Sequence, residues 1–90
     1  MSEVRNNEAR HSYVLDVDGR TAFAAYRMEG DDIVFYHTVV PPELEGRGIG
    51  SALVKGALED VRARGLKVVP LCPFVKGWID RHSEAQDLLA

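Results

Sequence analysis

The spacing of the apolar residues changes once, sharply, at Pro41-Pro42, and that change limits what the chain can build. Before the prolines the period is two. Tyr13, Leu15 and Val17 alternate within Ser12–Asp18, Ala22, Ala24, Tyr26 and Met28 alternate within Arg20–Glu29, and a β-branched and aromatic run follows from Ile33 to Val40. Asp18-Gly19 and Gly30-Asp31 carry turn chemistry between them, which predicts a three-strand antiparallel meander. The prolines stop the third strand, because neither donates to a ladder. From Ile49 the spacing becomes helical: Ile49, Leu53, Ala57 and Val61 recur every four residues, and Gly65 supplies a stop. Leu66–Cys72 then reads as a fourth strand whose nearly continuous apolar run suits burial on both faces, parallel to the third after a helical crossover. Pro73 opens a second helix with Phe74, Val75, Trp78 and Ile79 as its apolar stripe, and Ser83 with Gln86 resembles a capping box before a last short helix. The expected fold class is α/β (α+β) over residues 11–90, with polar residues 1–10 as a loose, flexible arm.

Gly46-Arg47-Gly48-Ile49-Gly50 lies where the third strand hands over to the long helix. The first amides of a helix lack partners within it and carry the positive end of the macrodipole. A glycine turn lets a ligand reach them, so the arrangement suits a diphosphate, with Arg47 adding charge and Ser51 a hydroxyl. The simpler alternative is a tight strand-to-helix connection. A dinucleotide fingerprint is excluded because Ser51 stands where its third glycine belongs, and the lysine–serine pair of a Walker loop is missing. Glu43 and Glu45 lie nearby and oppose an anion.

Composition narrows the partners. Eleven basic residues against fourteen acidic ones give no concentrated positive surface, so nucleic acid is not expected as a partner. A single cysteine, Cys72, precludes an intrachain disulfide. No segment is apolar enough to span a bilayer and Met1–Arg5 has no signal-like region, so a cytoplasmic protein, monomeric or weakly dimeric, is expected.

Two side chains stand out for chemistry. Cys72 falls where a strand ends and a helix begins, a setting that favours reactive thiols, although cysteine also serves as a small core residue. His37, alternating with Phe35 and Val39, has the titration range of a general base, or is a hydrogen-bonded structural histidine; Thr38 is equally ambiguous. Trp78 reads as core or as a channel wall. The histidines and the cysteine show no metal-ligand spacing.

Taken together, His37-Thr38, Pro41, Gly46 to Gly50, Leu53 and Pro70-Leu71-Cys72-Pro73-Phe74-Val75 resemble the minimal, roughly hundred-residue members of the GCN5-related N-acetyltransferases over about residues 12–88. The resemblance implies a GNAT-like fold and transfer of an acetyl group from acetyl-CoA to a primary amine, here on a protein since so short a chain leaves little for a deep acceptor pocket. It implies that Gly46, Arg47, Gly48, Ile49, Gly50 and Ser51 hold the diphosphate, that Val39–Val40 and Val68–Cys72 splay to admit pantetheine, and that Cys72 and His37 are the catalytic candidates. The sequence departs from the pattern at Glu45, where the superfamily has Gln or Arg, and at Val39, where the minimal group often has Glu. The tyrosine that full-length enzymes use to protonate the departing thiolate has no counterpart, since Tyr13, Tyr26 and Tyr36 all lie upstream. These departures leave a second expectation open, a non-catalytic module that binds coenzyme A or an acyl-CoA, or a small interaction domain.

Overall fold

The computed structural model describes residues 4–90. Strands β1 (Arg5–Asn7), β2 (Ser12–Val17), β3 (Arg20–Glu29) and β4 (Asp32–Val39) form an antiparallel series, and β5 (Lys67–Pro70) joins β4 in parallel, so the five strands lie in sequence order. Helix α1 (Ile49–Ala63) makes the crossover, α2 (Pro73–Asp80) follows β5, and a 3-10 segment (Ser83–Leu88) closes the chain. This is the mixed α+β class expected.

One core binds the layers. Ala22, Ala24 and Tyr26 of β3 and Tyr13 and Leu15 of β2 face Leu53, Val54, Ala57, Leu58 and Val61 of α1, and Val75, Trp78 and Ile79 of α2 join the same cluster. The apolar stripe of α1 is therefore what holds it on the sheet, each fully buried leucine such as Leu53 contributing about 1.5–3 kcal/mol. The helix ends in a Schellman motif: Leu66 N–H donates to Val61 C=O at 3.1 Å and Gly65 N–H to Arg62 C=O at 3.1 Å. Nearby, the Tyr13 hydroxyl donates to Asp60, pinning the C-terminal half of α1 to β2.

Burial first, and the Asp60 hydrogen bond second, push the Tyr13 phenol well above its ordinary value. The folded state thus resists an ionisation that the unfolded chain undergoes near pH ~10. Stability from this group is complete below that pH and is lost as pH rises toward the folded value. Thermal melts of Tyr13→Phe are expected to fall less steeply between about pH 9.5 and 11 than those of the wild type; identical slopes would contradict the assignment.

Four expectations are corrected. Residues 5–10 do not form a loose arm: β1 pairs with β2, Tyr26 donates to Asn6 Oδ1 at 2.6 Å, and Val4 fills the space that a Cβ at Gly56 would occupy, 2.5 Å away. Met1 to Glu3 of that segment lie outside the described residues. The alternation in β4 breaks, because Tyr26 pairs with Phe35 but Ala25 with His37, leaving Tyr36 as a bulge. Phe35 consequently faces the core while His37, two residues on, lies on the opposite face beside Phe23. Strand β5 is shorter than expected and is not buried on both faces: Val68 is buried, Val69 and Pro70 are half-buried, and Leu71 turns outward. Ser83 caps nothing; His82 occupies the cap position but its ring bonds Trp78 C=O at 2.7 Å rather than capping the segment, and Gln86 Nε2 reaches Ile79 C=O at 3.4 Å.

Candidate functional site

The bulge and Pro70 together open the sheet. The β4–β5 ladder ends at Phe35 opposite Pro70, with one further bond from Cys72 N–H to Phe35 C=O at 2.9 Å. Beyond it β4 runs on with β3 alone, while the chain after β5 turns away into α2. Thr38, paired with the core-facing Ala24, projects to the helix side of this fork. Its Oγ1 lies 3.2 Å from Cys72 Sγ, either atom being the donor.

The loop after β4 is anchored by Leu44, which is 1% exposed, and by the 3-10 turn Pro42–Leu44. Gly46 and Gly48 take φ values of +79° and +72°, a left-handed conformation that glycine alone enters without strain. Gly48 is the N-cap of α1, and no side chain caps the helix. The amides of Ile49, Gly50 and Ser51 have no acceptor within a helix that starts there, and no other backbone acceptor meets them. Gly50 serves a second purpose: a Cβ there would stand 2.6 Å from the ring of Phe74, so its absence lets the starts of α1 and α2 meet.

Between these parts lies an open cleft of about 620 Å³. Thr38, Val39 and Val40 form one wall and Phe74 another, with Gly46, Gly48, Ile49, Gly50 and Ser51 at its mouth. The volume falls in the ~300–1,000 Å³ range of small-molecule sites. Trp78 Nε1 donates to Ser51 Oγ at 2.8 Å, which leaves the Ser51 hydroxyl hydrogen to point elsewhere.

Charge is distributed differently from the sequence reading. Arg47 Nη1 pairs with Asp18 at 2.9 Å and so ties the glycine loop to the β2–β3 turn, while Arg20 lies 3.5 Å from Glu43 and offsets one of the opposing carboxylates. Arg81 lines the cleft, and among the described residues no carboxylate pairs with it. Glu45 also lines the cleft.

A family model described as GCN5-related N-acetyl-transferase matches residues 12–88. The chain belongs to that family. The NMR solution structure of a GCN5-like N-acetyltransferase candidate from Staphylococcus aureus superposes with a TM-score of 0.74 at 28% identity, covering 98% of this chain and 87% of that one. No match was found among proteins of curated description. In this GCN5-related N-acetyltransferase, Val39, Val40, Gly46, Gly48, Ile49, Gly50 and Ser51 converge on one cleft. Arg47 is adjacent but engaged with Asp18. Cys72, 5% exposed, sits behind Thr38 rather than in the cleft wall, and His37 is exposed on the other face of the sheet, so the two catalytic candidates are not brought together. Thr38, left ambiguous by the sequence, takes the position facing the cleft, and Arg81 had no sequence signal at all.

Proposed function

We propose that the protein uses acetyl-CoA as acyl donor and a primary amine, on a protein, as acceptor. The observation that carries this reading is the set of uncapped amides at Ile49, Gly50 and Ser51 opening into the cleft. Three convergent donors with the helix dipole behind them suit a diphosphate, and the left-handed glycines keep side chains out of its way. The half-buried wall at Thr38–Val40 and the exposed ring of Phe74 opposite it suit the pantetheine arm. Acetyl-CoA supplies an acyl group already activated as a thioester.

The chain's own contribution to the chemistry is a proton. Thr38 Oγ1 faces the cleft and Cys72 Sγ stands behind it at 3.2 Å. Thr38 gives its proton to the departing sulfur as Cys72 passes its own to Thr38 Oγ1, and the proton released by the amine restores Cys72, so none is gained or lost over a cycle. Val39, half-buried where a carboxylate often stands, and His37 on the far face favour a second reading, a module that binds coenzyme A without transfer.

Labelled acetyl-CoA incubated with lysine-rich peptides tests both. Thr38→Val and Cys72→Ala are each expected to lower transfer by about 10²-fold. The double variant should fall no further, because the two act as one relay. Affinity for coenzyme A, measured by calorimetry, should be unchanged in each. Binding without transfer by the wild type would support the module, transfer that survives Cys72→Ala would remove the relay, and absence of binding would end both readings.

A further inference from the structure

Helices α1 and α2 cover one face of the sheet and leave the alternate residues of β2 and β3 on the other. Tyr13, Leu15, Ala22 and Ala24 point into the core, so Ser12, Val14, Phe23 and Ala25 line the opposite face. There they floor a groove of about 420 Å³, walled on the β1 side by Arg5, Asn7 and Arg10 and on the β3 side by Thr21. The volume lies within the ~300–1,000 Å³ of small-molecule sites. Ser12 is the one buried polar residue among those described, at 6% exposure. Its hydroxyl has no hydrogen-bond partner within the described chain. Among the described residues no fully buried polar side-chain atom lacks a partner, so this oxygen reaches the open volume of the groove. Buried polar groups are almost always hydrogen-bonded, and one left open at the bottom of a groove is a place for a ligand atom.

The groove also holds a cation without a counter-ion. Arg5 is taken by Asp16 at 2.7 Å, and Thr21 donates to the same carboxylate. No carboxylate pairs with Arg10 among the described residues. Asn7 accepts from Arg10 N–H through Oδ1 at 3.3 Å, which leaves its NH2 as a donor. We propose that this groove is a second binding site, separate from the cleft, for a small organic monocarboxylate with an aromatic or branched apolar body. The planar carboxylate matches the fork of the Arg10 guanidinium and accepts from Asn7 and from Ser12 on the floor. A phosphate dianion fits less well, since Asp16 stands nearby and one cation alone offsets the charge. The apolar body lies over Val14, Ala25 and Phe23, whose ring stands edge-on to His37 at 6.2 Å. The amides of Ile49 to Ser51 belong to the helix side of the sheet, so this inference does not rest on the reading of the cleft.

Titration of ¹⁵N-labelled protein with 3-phenylpropionate tests this, with the neutral 3-phenylpropionamide as its isostere. The acid is expected to shift the backbone N–H resonances of Arg10, Ser12, Val14 and Phe23 with a dissociation constant on the order of 1 mM. The carboxamide should bind about fivefold more weakly, as for the loss of an exposed ion pair. Arg10→Gln should weaken the acid by about the same factor and remove its advantage. Ser12→Ala should weaken it about three- to tenfold while leaving the melting temperature unchanged, because the hydroxyl has no partner in the fold to lose. Ala25→Leu fills the groove from its floor and should abolish binding. Equal affinity for acid and carboxamide, or an affinity unmoved by Arg10→Gln or Ala25→Leu, would overturn the assignment. So would shifts centred on the cleft, or none at about 10 mM acid, a concentration that would nearly saturate such a site. A lower melting temperature in Ser12→Ala would show that the hydroxyl is already held, and would remove the opening on which the site depends.

Discussion

Gly48→Val is expected to weaken coenzyme A binding by about 10²-fold or more, leaving the protein folded. Gly48 has φ +72° and nothing within 4 Å of where a Cβ would stand, so the first carbon of the new side chain meets open space and the main cost is backbone strain. That strain is about 1–3 kcal/mol, against a stability of about 5–13 kcal/mol for a domain of this length. Binding suffers more. The strained turn relaxes away from its left-handed form, the amides of Ile49 and Gly50 lose their aim, and a branched side chain stands before them. Two lost hydrogen bonds to a charged group, each about 1.5–3 kcal/mol, account for the expected factor. Calorimetry measures the affinity, and a melting temperature lowered by about 5–20 °C shows that the fold persists. Gly48→Ala should give an intermediate loss. Unaltered affinity in Gly48→Val would mean that the diphosphate does not approach this turn.

The largest loss of stability is expected from Trp78→Ala. Trp78 is 4% exposed, lies in the central cluster, stacks with His82 and donates to Ser51. Removing it leaves a cavity between α1 and α2 at a cost of about 3–5 kcal/mol, or about 15–30 °C in melting temperature. Trp78→Phe separates packing from hydrogen bonding. It retains most of the ring but not the N–H, so its cost in denaturant melts should be near 1 kcal/mol. A Trp78→Ala variant as stable as Trp78→Phe would show that the indole is not the strut between the two helices.

Elements whose character is written locally were legible. The meander, α1 and α2 each repeat an apolar period over enough residues to fix their type, and the glycines mark the helix start whatever lies around them. Strand β1 was not legible because Arg5-Asn6-Asn7 is polar; it is held by the β2 ladder, and by Tyr26 on Asn6 and Val4 against Gly56, contacts that join it to residues far along the chain. The bulge at Tyr36 was hidden for another reason. Phe35, Tyr36 and His37 suit either face of a sheet, so only pairing with β3 decides which one turns out. That one residue moved His37 away from Cys72 and left Thr38 facing the cleft. The glycine turn was visible as a possible anion site, but the pairing of Arg47 with Asp18 and the placing of Arg81 depend on tertiary contacts that spacing does not encode.

The most direct measurement is a titration of ¹⁵N-labelled protein with coenzyme A, followed through the backbone amide resonances. The account predicts that the largest shifts fall on Gly48, Ile49, Gly50 and Ser51, with Thr38 to Val40 responding next and the strands β1 and β2 unmoved. Shifts centred on any other surface, or none at saturating ligand, would contradict it.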